Sequence, residues 1–336
     1  MTEVFMRKIQ TVCLSFFLFL LFLFSPAVPT AAEAKEVYLG GMPAGFSLRL
    51  NGVQIVGISD IVCGDKVVSP ARDARLQIGD LICSLNGSEI DSVSDLEKEV
   101  SSGNKMQLCY LRGNQKMSTV IEPVLDSASS QYRIGVLIRD SVSGVGTITC
   151  IDAHTYRFGS LGHPVLDESR QKMEIAQSVV YRCSIIGVNK GVRGKAGELR
   201  GIFIKANPLG VAKQNSDTGI FGVYDAESTK GLEKIMTAPI SEAMPGKAEI
   251  ITTVDGFQAE RYRIELVKVD ECNKENKNFV LKITDQRLLS MTGGIVQGMS
   301  GSPILQNGKL IGAVTHVFLN DPTRGYGIGI EKMFGT

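Results

Sequence analysis

The strongest chemical signal in the chain is a glycine-rich loop around a serine close to the C-terminus. Residues 293–305 read Gly-Gly-Ile-Val-Gln-Gly-Met-Ser-Gly-Ser-Pro-Ile-Leu. Gly298 lets the backbone turn so that its N–H and that of Ser300 converge on one point, an arrangement that stabilises a developing oxyanion. Gly301 leaves room beside the serine for a substrate backbone, and Pro303 fixes the exit of the turn. The pattern predicts Ser300 as the nucleophile of an acyl transfer, with Gly298 and Ser300 as the oxyanion hole.

A serine attacks a peptide bond only when a base accepts its proton, and the chain offers three histidines, His154, His163 and His316. His316 follows Ser300 on the next predicted strand. His163 lies in Phe-Gly-Ser-Leu-Gly-His-Pro-Val, a glycine-rich loop that can present a side chain to a cleft. His154 directly follows a predicted strand, as a turn residue does. The pattern favours His163 as the base.

The elements that must hold these residues are short strands separated by Gly and Asn/Asp turns, which is typical of one or two β-barrels. The Gly-x-Ser-Gly-x-Pro turn, with a strand after it, resembles the nucleophile loop of chymotrypsin-like serine peptidases. That resemblance implies a double β-barrel. The alternative, without catalysis, is a glycine-rich hairpin with an exposed serine.

Residues 41–123 resemble a PDZ domain. Ala44-Gly45-Phe46-Ser47 is similar to the loop whose N–H groups hold a peptide carboxylate, and Ala-x-x-Ala-x-Leu-x-Ile-Gly-Asp-Leu-Ile from residue 71 is similar to the following helix and turn. Asn51-Gly52 predicts a hairpin turn. The resemblance implies that Gly45, Phe46 and Ser47 bind a peptide C-terminus or an internal strand by strand addition. The alternative is a module that only packs or anchors.

Three longer segments, 153–163, 207–222 and 282–289, resemble the stage IV sporulation protein B peptidase family. The resemblance implies a triad of His163, Asp285 and Ser300. It also implies that Asn215 and Thr315 support these groups, with Thr315 bonding the Asp285 carboxylate. Asp285 lies only fifteen residues before Ser300, unlike the aspartate of trypsin relatives, so Asp217 stays open as its rival.

The first 34 residues resemble an export signal. Arg7 and Lys8 precede an apolar run at 12–24, and small residues follow at 30–34. The run is also near the length that spans a bilayer, so residues 1–34 are interpreted as a signal peptide or an uncleaved membrane anchor.

The composition of the chain argues against several classes of binding partner. The formal net charge is +1, which gives no field for binding nucleic acid. The chain has no C-x-x-C pair, so we expect no structural metal, and acyl-enzyme chemistry needs no cofactor.

The predicted organisation is mainly β: a hydrophobic leader at 1–34, an α+β PDZ domain at 36–125 and a chymotrypsin-like double-barrel peptidase at 130–336. The family resemblance implies a serine endopeptidase that acts outside the cytoplasm in sporulation signalling, in the forespore intermembrane space. Its expected substrate is a protein at a membrane surface, and cleavage of that protein triggers late sigma-factor processing. The enzyme is also expected to cleave itself near its own N-terminus. The alternatives are a catalytically silent PDZ adaptor of the spore envelope and a housekeeping protease-chaperone, which usually carries its PDZ after the protease.

Overall fold

A computed structural model describes residues 34–167, 170–176 and 178–335. The predicted leader therefore lies outside the described residues, except for Ala34. Within the described ranges, no helix is both long and apolar enough to cross a membrane.

The described chain is mainly β, as the sequence predicts. Its first part contains β1 (Glu36–Leu39), β2 (Pro43–Ile58), β3 (Ile61–Cys63), β4 (Lys66–Val68), α1 (Pro70–Asp73), β5 (Leu81–Leu85), β6 (Ser88–Glu89), α2 (Val93–Val100), β7 (Met106–Arg112), β8 (Gln115–Ile121), β9 (Val124–Asp126) and β10 (Gln131–Arg133). The middle part contains β11 (Val136–Asp152), β12 (Arg157–Ser160), β13 (Ser178–Asn189), β14 (Glu198–Ser216), β15 (Gly219–Tyr224) and β16 (Lys234–Met236). The last part contains β17 (Gly246–Thr252), β18 (Glu260–Val269), β19 (Phe279–Ile283), α3 (Gln286–Thr292), β20 (Pro303–Gln306), β21 (Lys309–Phe318), β22 (Asp321–Gly329) and α4 (Ile330–Phe334).

The C-terminal strands form a closed antiparallel barrel in the order β17-β18-β19-β22-β21-β20. Alternation along the strands fills its interior. In β18 the side chains of Tyr262, Ile264 and Leu266 are buried, while the charged residues between them are exposed. We call this the C-terminal barrel, and its strands come from one continuous stretch, 246–329.

A second ring of six strands runs β2-β11-β12-β15-β14-β13. It closes because β2 pairs along both edges, with β11 at 141–147 on one side and with β13 at 179–182 on the other. We call it the N-terminal barrel. Together, the two rings confirm the double barrel that the sequence predicts.

An α+β module lies between two strands of the N-terminal barrel. The chain leaves that barrel along β2, forms the module, and returns along β11. The module contains residues 53–139, and its core includes Val53, Ile82, Leu96 and Leu108. It is therefore an insertion in the peptidase, and residues 36–50, which the sequence assigned to the PDZ domain, pair with the peptidase strands instead.

The predicted hairpin at Asn51-Gly52 does not form, because β2 runs straight through it from the barrel into the module. Gly52 instead allows the backbone of β2 to lie close to the neighbouring β5. A Cβ at Gly52, whose φ is +141°, would lie 2.4 Å from the Ile82 carbonyl oxygen of the neighbouring β5. Asn-Gly is a strong turn signal only when the two flanking strands pair with each other.

Candidate active site

The nucleophile loop leads into β20, which is a strand of the C-terminal barrel, and the loop packs against the N-terminal barrel. Gly298 and Gly301 have φ of +96° and +93°, in the region that glycine tolerates. A Cβ at Gly301 would lie 2.2 Å from the Thr147 carbonyl oxygen and 2.5 Å from the Leu161 nitrogen. Glycine is thus required at 301 because two segments of the other barrel touch it.

Two backbone N–H groups of this loop are available to a ligand. The N–H of Met299 donates to Val296, and the N–H of Gly301 donates to Val314. Within the described residues, the N–H groups of Gly298 and Ser300 have no acceptor. These are the two donors that the sequence assigned to the oxyanion hole.

Sequence reasoning missed Thr147 and Thr149, which anchor the loop from β11. The Thr147 N–H donates to the Ser300 carbonyl at 3.1 Å, and its Oγ1 donates to the Gly298 carbonyl at 2.8 Å. The Thr149 Oγ1 donates to the Gly301 carbonyl at 2.8 Å. A signal was present, since two threonines two residues apart in an apolar strand share one face.

The imidazole of His163 lies on the loop after β12, at the N-terminal barrel's side of the site. Its Nδ1 lies 2.9 Å from its neighbour's carbonyl, that of Pro164. Its ring lies 5.0 Å from the ring of His316, centre to centre. Burial lowers the pKa of His163 below its ordinary value of 6.5, and the bond to Pro164 opposes that shift only in part. His163 is therefore neutral at physiological pH.

The two loops are in contact. A Cβ at Gly162 would lie 2.7 Å from the Thr315 Cγ2, and Gly301 abuts Leu161 as described above. The Ser300 Oγ donates to the Thr315 carbonyl at 2.9 Å and makes no hydrogen bond to His163 within the described residues. The structure thus brings Ser300 and His163 to facing loops, one from each barrel, with the serine hydroxyl turned toward β21.

Asn215 makes three hydrogen bonds to the segment that follows His163, and the supporting role that the resemblance implies for it stays a prediction. Its Oδ1 accepts from the Val165 N–H at 2.9 Å, and its Nδ2 donates to the carbonyls of Val165 and Met173 at 2.7 and 2.9 Å. One amide therefore holds two points of the segment that follows His163.

Thr315 lies beside both loops, but the bond predicted to Asp285 does not form. Its Oγ1 is buried and has no hydrogen-bond partner in the described part of the chain. Its side chain packs on Gly162 and its carbonyl accepts from Ser300.

Asp285 is not brought to His163. It is the N-cap of α3, where its carboxylate accepts from the backbone N–H groups of Arg287 and Arg263 at 3.0 and 3.3 Å. Burial raises the pKa of this carboxyl, but the accepted hydrogen bonds outweigh that and leave the pKa below its ordinary value. The rival Asp217 is also elsewhere, in an exposed ion pair with Lys172. The local capping pattern of Asp before a helix was the signal for the role that Asp285 has here.

The predicted peptide loop at Gly45, Phe46 and Ser47 is wrong. These residues lie inside β2, where their backbone pairs with β11 on one edge and with β13 on the other. The Phe46 side chain is buried in the N-terminal barrel. Because both edges are occupied, no N–H there is open to a peptide carboxylate.

Two six-stranded barrels, with a serine loop from one facing a histidine loop from the other, define a chymotrypsin-like serine peptidase. A sequence profile described as SpoIVB peptidase S55 matches residues 130–334, and the chain belongs to this family. The match confirms the resemblance and the class of enzyme, a hydrolase of peptide bonds.

None of the curated proteins matches the chain. Among solved structures, the chain is similar to the PDZ domain of the SdrC-like protein from Listeria monocytogenes, with 23% identity and a TM-score of 0.22. The alignment covers 26% of this chain and 87% of that one.

Proposed function

We propose that the protein is an endopeptidase that cleaves through an acyl-enzyme, with Ser300 as nucleophile and His163 as general base. The His163 Nε2 accepts the hydroxyl proton while the Oγ attacks the substrate carbonyl carbon. The oxyanion that forms is held by the N–H groups of Gly298 and Ser300. His163 then returns the proton to the leaving amine, and water hydrolyses the ester by the same steps.

The observation that carries this proposal is the pair of N–H groups without an acceptor, on a loop packed against the histidine loop. Both groups belong to a turn whose carbonyls are held by Thr147 and Thr149. The hole is therefore built before substrate arrives, and the serine hydroxyl must rotate away from the Thr315 carbonyl to bond to His163.

The tautomer of His163 is supported without a carboxylate. When Nδ1 carries the proton, it donates to the Pro164 carbonyl, and Nε2 keeps the lone pair that a general base needs. The family resemblance still implies Asp285 as the third member of a triad. That role stays a prediction, because the contacts of Asp285 are those of a helix cap.

The biological setting belongs to the proposal too. Membership in the SpoIVB peptidase family supports a role in sporulation, with export from the forespore directed by residues 1–34. In that setting the enzyme cleaves a membrane-associated partner, and this cleavage leads to late sigma-factor processing. The enzyme also cleaves itself near its N-terminus.

Labelling with a fluorophosphonate tests the chemistry, because this reagent reacts with an activated serine. The wild-type chain should be labelled, and Ser300→Ala should not. Ser302→Ala is the matched control, since its buried hydroxyl has no partner within the described residues. Equal labelling of Ser300→Ala would overturn the proposal, and an unlabelled wild-type chain would favour the silent adaptor.

A further inference from the structure

A loop rich in cations connects β13 to β14 and lies beside the nucleophile loop. Residues 190–197 read Lys-Gly-Val-Arg-Gly-Lys-Ala-Gly, with three cations and no acid. The Val192 N–H donates to the Lys195 carbonyl at 3.0 Å, and the Lys195 N–H donates to the Val192 carbonyl at 2.9 Å. These two bonds close a tight hairpin with a two-residue tip. We call residues 190–195 the basic loop.

The basic loop is held in place from both of its ends. At its start, the Gly191 N–H donates to the Thr292 carbonyl at 2.8 Å, just before the nucleophile loop begins. After its end, the Gly197 carbonyl accepts from the Gln297 N–H at 2.8 Å, and Gln297 directly precedes Gly298. The basic loop therefore has a fixed position beside the oxyanion hole.

The edge of β21 next to the serine is open over a short length. β20 pairs only with the first half of β21, and the Thr315 carbonyl in the second half accepts from the Ser300 Oγ. The His316 carbonyl faces β22, since it lies 2.2 Å from the position that a Cβ on Gly325 would take. The N–H of Val317 belongs to the same trans peptide group and therefore points the opposite way, toward the open side.

The basic loop closes the far end of this open edge. The Leu319 carbonyl accepts from the Gly194 N–H at 2.7 Å, so the tip of the loop already occupies the edge at that point. A chain that is added along β21 can pair with Thr315 and Val317, and it then meets the loop. The open edge is therefore a short track that leads from the serine to the cations.

The charge of the basic loop is not neutralised by the acids that adjoin it. Three exposed cations have no ion pair within the described residues: Lys190, Arg193 and Lys195. Glu198, the acid that follows the loop in sequence, accepts from the Asn189 side chain. Asp321, which follows Leu319, accepts from the N–H and the hydroxyl of Thr323. Unpaired cations beside a cleft attract negative charge on a substrate.

We propose that the enzyme prefers substrates with acidic residues four to six positions before the scissile bond. The inference rests on the proposed function, because it uses the same serine and oxyanion hole. A substrate that pairs antiparallel with β21, as β22 does, places its residue before the cut opposite Thr315 and its third residue before the cut opposite Val317. Since the Leu319 carbonyl is already bonded, the substrate leaves the edge there, and its next side chains lie against the basic loop.

Cleavage of a synthetic peptide library of mixed sequence by the full chain tests this preference, with the cut sites identified by mass spectrometry. Asp and Glu should be enriched four to six positions before the cut. In a matched pair of peptides made from the best substrate, replacing two glutamates there with glutamine should lower kcat/KM about tenfold. The difference should shrink in about 0.5 M salt, because exposed charges are screened. Acidic enrichment only after the cut, or no enrichment, would overturn the proposal.

Charge reversal tests whether the basic loop is responsible. In the double variant Arg193→Glu with Lys195→Glu, the ratio of kcat/KM for the glutamate peptide to that for the glutamine peptide should fall from about ten to below one. Lys247→Glu is the matched control and should keep the ratio, because this exposed lysine lies beside Gln306, at the opposite end of β21. An unchanged ratio in the double variant would overturn the proposal, and loss of its binding to anionic phospholipid vesicles would then assign the loop to a membrane surface.

Failure of the proposed function gives a different result. A wild-type chain that cuts no peptide and takes no fluorophosphonate label would overturn the proposed function and this preference with it. A chain that is labelled and cuts peptides without regard to acidic residues would overturn the preference alone.

Discussion

The two barrels of this molecule have the same number of strands but are assembled differently. The C-terminal barrel is built from one stretch of chain, 246–329, in which sequence neighbours mostly pair. The N-terminal barrel takes β2 from residues that precede the inserted module and its other five strands from residues that follow it. Its closure therefore depends on pairs such as Phe46 with Gly144, almost a hundred residues apart. Because local sequence does not reveal pairs at such a distance, the N-terminal barrel is harder to predict than the C-terminal barrel.

The largest expected effect comes from two deletions that separate the barrel from the module. Removing 41–123 takes away most of β2 and should leave the chain unfolded. Replacing 51–139 with Asn-Gly should preserve the fold, because Arg49 and Ser141 are already paired and only a four-residue loop must join them. Circular dichroism and fluorophosphonate labelling measure both. A folded, labelled product from the first deletion would break the comparison.

The next effect tests whether the two barrels contribute one catalytic unit. Ser300→Ala and His163→Ala should each lower kcat/KM on the order of 10⁴ to 10⁶, and the double variant should be no worse. Peptide hydrolysis under single-turnover conditions measures this, with melting curves to show that each variant is folded. Losses that multiply in the double variant would mean that the residues act separately.

A smaller effect is expected where the barrels touch. Thr147→Val keeps the side-chain shape but removes the donor to the Gly298 carbonyl, so kcat should fall about tenfold with KM unchanged. Thr252→Val, in the C-terminal barrel, is the matched control. Its buried hydroxyl has no partner among the described residues, so activity should not change. A kcat as high as wild type in Thr147→Val would show that the loop needs no anchor.

Asp285 and Asp217 offer a comparison of stability. Asp285→Ala should lower the free energy of unfolding by about 1–2 kcal/mol, because it uncaps α3. Asp217→Ala should change it by less than about 0.5 kcal/mol, since that carboxylate is exposed. Chemical denaturation measures both. Asp285→Asn keeps a capping group, so its kcat separates the two roles: if Asp285 is a helix cap alone, kcat should stay within about tenfold of wild type. A far larger loss with unchanged stability would return Asp285 to the triad.

The smallest expected effect is a displacement of the pH profile. A general base works when neutral, so kcat/KM should fall as pH decreases through the pKa of His163. Burial places that pKa below 6.5, and the acid limb should have its midpoint below that value. The exposed His154 should not matter, so His154→Gln should give the same curve. A midpoint above 6.5 would contradict the burial of His163.

Much of the site could be predicted because its signals are local. Gly298, Ser300 and Gly301 occupy three of four successive positions, and their residue types follow from the turn itself. His163 likewise has glycine residues close to it in sequence. The amphipathic helix α2 was also visible, from Leu96 and Val100 one turn apart.

The rest depends on pairing across long distances. Gly45-Phe46-Ser47 has the sequence pattern of a loop that binds a peptide carboxylate. In the structure, however, β13 and β11 cover both edges of this segment, and neither strand is near it in sequence. Local sequence likewise could not say which carbonyl faces His163 or where Asp285 lies, because those contacts depend on how the loops pack.

The strand β11 ties these observations together. Its 17 residues extend over about 55 Å and include both Val136, in the inserted module, and Thr147 and Thr149, which anchor the nucleophile loop. Two bulges, at Leu137/Ile138 and Arg139/Ser141, lie where it passes from the module into the barrel. Because successive side chains alternate between faces, a slip of one residue would turn Thr147 away from Gly298. The spacing along β11 between the inserted module and the nucleophile loop is therefore set by one register, and a shift of that register would have to occur in steps of whole residues.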